Sequence, residues 1–287
     1  MILVVGHLVA YFGNEPENLP CALFSARAAL SSRGHRESGP SDGFGLGFVQ
    51  GGDVLLRKQP RAEIAGVDLY ALAKDTRAEA LVGRVGLSRD GNTPAEDADP
   101  FRFRSWLFGS VGEIDEPGFD AIRERLLEST PAFLRRNIRG RSASEHLFHL
   151  FLAFLHDAGM LDQPTPSPIA VHAALRNSLA FVDRLLVEGT ARPLEIALAA
   201  TNGRCFVAAA HGHPMRYLQV EGIPDCPVCQ AANDRANGGH GARRVPHEAL
   251  RAVVIEADRA VTSRSGWTDI PNRSALVAGP DSVAQVL

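Results

Sequence analysis

Lysine is nearly absent from this chain: Lys58 and Lys74 are the only two among 30 basic residues in 287. Arginine carries almost all the positive charge, and with the alanine, glycine and proline content this reads as GC-rich coding bias rather than a phosphate-binding device. Against 33 acidic residues the net charge is −3, with both signs mixed along the chain. That leaves no basic field for nucleic acid and no polybasic cluster for an anionic membrane surface. Long apolar runs are missing as well. Met1 to Val5 is apolar, but it has no basic flank and reaches His7 and Asn14 too soon for a signal peptide or a membrane span, so a cytoplasmic protein is expected.

Cysteine is scarce too, and four in a chain of this length do not make a disulfide framework. Cys21 and Cys205 sit in apolar surroundings and read as buried small hydrophobes. Cys226-Pro227-Val228-Cys229 is different, because a Cys-x-x-Cys turn can hold a metal or cycle as a dithiol. It is half of a tetrahedral site; His211, His213, His240 and His247 are candidates for the rest, and no spacing singles one out. Gln230 to Arg244, rich in Ala, Asn and Gly, reads as a loop, so the helix that a thioredoxin-like motif needs is not expected. The favoured reading of Cys226 and Cys229 is structural or incidental, with no metal and no cofactor.

What is present is a soluble globular composition, 45% hydrophobic and 22% charged. Leu3 to Phe12 is a buried-strand pattern, followed by a helical spacing over Pro20 to Leu30 and a polar loop from Ser31 to Ser41. Gly51-Gly52-Asp53 reads as a hairpin turn between strands Gly45–Gln50 and Val54–Lys58. A short helix over Asp68–Lys74, a strand over Ala78–Val85, a loop over Arg89–Asp97 and one strand over Phe103–Phe108 come next. Helices then gather over Phe119–Glu128, from Pro131, over Ser144–Ala158 and over Ile169–Val187. Strands return at Leu194–Thr201, Cys205–Ala210, Arg216–Val220, Ala249–Glu256 and Ser274–Val277. Sheet signals at both ends with helices between favour an α+β, four-layer αββα sandwich of two mainly antiparallel sheets over a doubly wound parallel fold. No internal repeat is visible, and His146 and His149, three apart on a helix, read as surface or capping residues.

Asp42-Gly43-Phe44-Gly45, Asp99-Pro100-Phe101, Trp106 to Glu113 and Ser144-Glu145 resemble the framework of class II glutamine amidotransferases, of the N-terminal nucleophile hydrolase superfamily and its single-domain bacterial branch. The motifs run from about residue 7 to 158; residues 190–287 are expected to complete the sheets of one domain spanning 1–287. The resemblance implies the αββα fold. It also implies a mechanism in which an N-terminal cysteine attacks the glutamine side-chain amide while its own α-amino group takes the proton.

The residues that the resemblance assigns to this chemistry are missing. The family's opening pattern falls on Gly6-His7-Leu8-Val9-Ala10-Tyr11-Phe12-Gly13, which puts Gly6 at the nucleophile position, and no trimming of Met1 to Val5 supplies a side chain. Using Cys21 instead requires cleavage after Pro20 and loss of the first strand. The His-x-Arg that clamps the glutamine carboxylate falls on Arg84-Val85-Gly86; Arg84, two residues earlier on the strand, shares the face of Gly86 and is a partial replacement. The histidine of Asn-x-His-Pro-Phe becomes Asp99. The oxyanion motif His-Asn-Gly reads Ser110-Val111-Gly112, so only Gly112 remains, and a lost donor of this kind costs ~10²–10³ in rate. The aspartate that binds the glutamine ammonium becomes Ala143.

Two readings of function follow. In the first, the chain is an inactive amidotransferase-like protein that acts as a binding, regulatory or assembly partner, for instance beside a separate synthase subunit, with neither nucleic acid nor membrane as partner and an unknown small-molecule ligand. In the second, it is a hydrolase or amidotransferase with a rebuilt site, in which Arg84, Asp99, Ser110, Ser142 and Glu145 converge and act on an amide other than free glutamine. Ser110 then needs a base, and the nearby segments offer Asp99 and Glu145 but no histidine at a pocket position that the resemblance assigns.

Overall fold

The computed structural model of the chain describes residues 6–27, 42–61, 68–85, 94–114, 116–190, 192–236, 246–259 and 265–287. The expected strand start at Leu3, the helix end towards Leu30, the 31–41 loop, Gly86 and His240 lie outside the described residues.

Thirteen strands are described: β1 His7–Gly13, β2 Asp42–Gln50, β3 Asp53–Arg61, β4 Ala80–Val85, β5 Phe101–Phe103, β6 Trp106–Glu113, β7 Glu195–Thr201, β8 Phe206–His211, β9 Met215–Ile223, β10 His247–Ala257, β11 Thr268–Asp269, β12 Ser274–Ala278 and β13 Gln285–Val286. The helices are α1 Leu19–Ser25, α2 Leu69–Ala73, α3 Glu116–Glu128, α4 Ala132–Arg135, α5 Ala143–Asp157, α6 Pro168–Thr190 and α7 Pro227–Ala236. One sheet has the order β11-β9-β10-β1-β4-β2-β3 and the other β13-β12-β8-β7-β6-β5. Every ladder between named strands is antiparallel.

Alternation along the strands makes three apolar layers. On β1, Leu8, Ala10 and Phe12 face the second sheet, meeting Leu107, Val111, Ala199 and Phe206. Val9 and Tyr11 turn outward to pack with Leu19, Leu23, Leu69 and Val254 under α1 and α2. On the far side, Trp106, Phe108, Leu198 and Val207 are covered by the apolar faces of α3, α5 and α6. Two sheets with helices outside each give the αββα sandwich expected from the sequence.

Two elements depart from expectation. The run Phe103–Phe108 is a hairpin, not one strand: β5 pairs with β6 across a turn in which Arg104 takes a left-handed φ of 52°. Nothing in Arg104-Ser105 resembles the glycine or asparagine that usually marks such a turn. The stretch after Cys229 was expected to be a loop, yet α7 runs from Pro227 to Ala236. Proline at its first position suits the start of this helix, while the Asn and Gly content that argues against it belongs mostly to later residues.

Candidate functional site

Gly6 stands immediately before β1, on the parity of Leu8 and Ala10, so a side chain here would enter the space between the sheets. A Cβ on Gly6 would lie 2.8 Å from Val111 Cγ2 and 3.1 Å from Arg84 Nη2. Three positions that are far apart in sequence, just before β1, on β4 and on β6, thus meet at one locus. Val111 is buried and fills it with methyl groups. A branched apolar side chain occupies the place where the resemblance calls for an amide donor.

Arg84 is committed elsewhere. Its Nη1 donates to Asp99 Oδ2 at 2.8 Å, with only 2% of the Asp99 side chain exposed. Asp99 Oδ1 accepts from Ser110 N at 2.8 Å and from Ser144 Oγ at 2.7 Å. Ser110 Oγ and Ser144 Oγ are 2.6 Å apart. Because Ser144 gives its one hydroxyl proton to Asp99, Ser110 is the donor in that contact. A buried carboxylate with one guanidinium and two neutral donors is well satisfied, the condition under which a buried charge is tolerable.

The two hydroxyls lie on the wrong face for chemistry at Gly6. Trp106, Phe108 and Ser110 share the helix-facing side of β6, as the partnership of Ser110 with Ser144 on α5 requires, whereas Val111 points between the sheets. Gly112 has φ +134°, and a Cβ there would sit 2.2 Å from Glu195 O. The one retained oxyanion position is therefore glycine because the β6–β7 contact demands it.

Further out, Asp97 and Glu145 serve the backbone. Asp97 Oδ1 accepts from Ser142 N at 2.9 Å and from Arg141 N. Buried Glu145 accepts from Arg139 N at 3.0 Å and Gly140 N at 2.7 Å. Ser142 caps α5 by accepting from Glu145 N. Of the five residues expected to converge, Arg84, Asp99 and Ser110 do, while Ser142 and Glu145 hold the 139–142 loop. Ser144, read from the sequence only as part of the helix opening, is the member that was missed. Ala143 packs on the helix-layer core and offers no polar group. Lys58 lies 4.8 Å over the Phe101 ring and donates to Ala95 O; burial lowers its pKa, against the pull of Asp99 and Glu145.

The cysteines fall elsewhere. Cys21 on α1 is not an isolated hydrophobe: its Sγ is 3.6 Å from Cys229 Sγ, and Cys229 Sγ is 3.3 Å from His247 Nε2. With Cys226 these ligand atoms all lie within 4.8 Å of one another. Burial raises the Cys21 and Cys229 thiols, the opposite of an activated nucleophile. Cys205 is the buried hydrophobe expected, its thiol pushed up to about 12 by burial. His211 instead faces Asp183, and His213 contacts Pro214 O. His146 and His149, expected as surface or capping residues, are buried; each Nδ1 bonds the backbone carbonyl four residues back, Ser142 O and Glu145 O.

No family model and no curated protein matches the sequence. Solved structures do match in shape. A glutamine aminotransferase class-II domain protein from Silicibacter pomeroyi superposes with TM-score 0.59 at 16% identity, covering 98% of both chains. A predicted glutamine amidotransferase from Pseudomonas aeruginosa gives TM-score 0.53 at 16% identity, covering 99% of this chain and 96% of that one. Glutamine phosphoribosylpyrophosphate amidotransferase from B. subtilis gives 0.51 at 13% identity, with 98% of this chain covering 48% of that longer one. At these identities the likeness is one of fold, and the fold of this chain is that of the class II glutamine amidotransferase domains, the N-terminal nucleophile hydrolase architecture.

Proposed function

We propose that this chain does not hydrolyse glutamine and that it works as a binding, regulatory or assembly component built on the amidotransferase scaffold. The observation that carries this reading is the state of position 6: glycine, with the space for a side chain occupied by Val111 Cγ2 and the Arg84 guanidinium. A nucleophile there would need both to withdraw. The carboxylate clamp fails for a second reason, since Arg84 is bound to Asp99 and a substrate carboxylate would have to displace a buried ion pair. Residence in the cytoplasm belongs to the same reading; its support is four free thiols with no disulfide among the described residues. A protein partner, such as a synthase subunit, is the class of ligand it implies.

One observation favours the second reading, a rebuilt hydrolase. Ser110, Ser144 and Asp99 form a hydroxyl chain that ends on a carboxylate. Three facts weigh against it: Asp99 already has Arg84 and the Ser110 amide, Ser110 is buried, and its hydroxyl faces the helices. The test is ammonia release from glutamine and from a panel of γ-glutamyl amides, with the full-length protein at high concentration. Silence on every substrate is expected. Turnover that disappears in Ser110→Ala or Asp99→Asn would replace the inactive-scaffold reading with the rebuilt enzyme.

A further inference from the structure

We propose that Cys21, Cys226, Cys229 and His247 together bind one zinc ion, in a closed structural site on the outer face of the first sheet. It stands apart from the locus around Gly6 and does not rest on the reading of that locus given above.

The geometry is the first argument. Zinc bound tetrahedrally with Zn–S of about 2.3 Å and Zn–N of about 2.0 Å sets S···S at about 3.8 Å and S···N at about 3.5 Å. Cys21 Sγ···Cys229 Sγ is 3.6 Å and Cys229 Sγ···His247 Nε2 is 3.3 Å, and no pair in the set exceeds 4.8 Å. The separation of Cys21 and Cys229 is far beyond the ~2.05 Å of a disulfide, and closing any one disulfide would leave a third thiol and an imidazole without purpose. Three thiolates and one imidazole are the donor set of a structural zinc centre, too soft for magnesium or calcium.

Several separate elements of the fold converge on the cluster. Cys226 directly precedes α7 and Cys229 lies in its first turn. His247 opens β10 opposite Ile223, and the register slips before the next pair, Arg251 with Glu221. That irregularity sits at the histidine, where β10 leaves regular pairing. Cys21, 208 positions from Cys229, comes from α1. Cys21 and Cys226 are buried while Cys229 and His247 are half-buried, which leaves an entry side for the ion. Binding would displace the protons of three thiols to solvent and leave a site of net charge −1 that pins α1, α7 and β10 together.

The test is metal analysis of the full-length protein purified in zinc-containing medium, followed by replacement with cobalt(II). About one zinc per chain is expected, with cobalt giving the intense visible bands of a tetrahedral site and thiolate-to-cobalt charge transfer in the near ultraviolet. Cys226→Ser and Cys229→Ser should abolish stoichiometric binding, and Cys21→Ser or His247→Ala should weaken it by at least about tenfold and alter the cobalt spectrum. Variants that fail to fold are covered by a wild-type measurement: zinc should protect three of the four cysteines from alkylation, and a chelator should expose them and lower Tm. Protein that takes up no zinc, an octahedral cobalt spectrum, bound iron in its place, or a Cys21→Ser spectrum equal to wild type would overturn the proposal.

Discussion

At Gly6 the packing leaves no room for even one added carbon. A Cβ there must push Val111 Cγ2, 2.8 Å away in the packed space between the sheets, and crowd the Arg84 guanidinium, 3.1 Å away and tied to Asp99. Gly6→Cys is expected to cost about 1–3 kcal/mol by overpacking, read from the urea midpoint. It should also release no ammonia from glutamine, even in a chain engineered to begin at residue 6, because Val111 and Ala143 still lack the donor and counter-charge. Arg84 makes a sharper prediction. Arg84→Met leaves the Asp99 carboxylate buried with only the Ser110 amide and Ser144 hydroxyl, and should lose about 3 kcal/mol in chemical denaturation. Adding Asp99→Asn should recover part of that loss, the positive coupling expected of a pair in direct contact. The sequence points to Arg84, Asp99 and Ser110 through their positions within recognisable motifs. It does not point to Ser144, whose role depends on where β6 and the start of α5 meet, nor to the outward face of Ser110, which follows from strand parity only once the sheet is in place.

At the scale of elements, the start of α5 concentrates the polar work around the site. Ser142→Ala removes the cap to Glu145 N and should cost about 1 kcal/mol. Glu145→Ala should cost more, since it orphans the amides of Arg139 and Gly140 together, and Glu145→Gln, which keeps an acceptor, should fall between wild type and alanine in thermal unfolding. The long amphipathic helices α3, α5 and α6 were legible because their apolar stripes repeat over many turns. The failures are local or long-range. Arg104 turns the β5–β6 hairpin without a glycine, and α7 is short, weakly apolar and followed by a loop-like composition. Its reason to exist is tertiary: it packs beside α1 and carries Cys226 and Cys229 to Cys21. Sequence spacing contains no trace of a contact between residues 208 positions apart.

Across the whole molecule, three apolar layers enclose titratable groups that push stability in one direction. His146, His149, His172, His211 and His213 all have lowered pKa values, with burial the largest cause in each. For His211 the Asp183 carboxylate opposes the shift, and for His146 and His149 the backbone carbonyls do, without reversing it. A histidine that is harder to protonate when folded binds fewer protons in the native state than in the unfolded one, whose value is near 6.5. Its contribution is intact above that value and is lost as pH falls below it, at about 1.4 kcal/mol per pH unit for each proton taken up on unfolding. Glu256, held low by His7 and Arg216 against the opposing effect of burial, adds a loss of the same sign only in more acid solution. Urea midpoints should therefore stay nearly level from pH 7.5 to about pH 7 and fall from there to pH 5.5, most steeply below about 6.5. His146→Asn with His149→Asn tests the cause, since each amide can still donate to Ser142 O or Glu145 O from the place of Nδ1 but cannot take up a proton. The double variant should start less stable at pH 7.5 and show a flatter decline; a slope equal to wild type would move the acid sensitivity to His172 on α6, His211 on β8 and His213 in the β8–β9 connection.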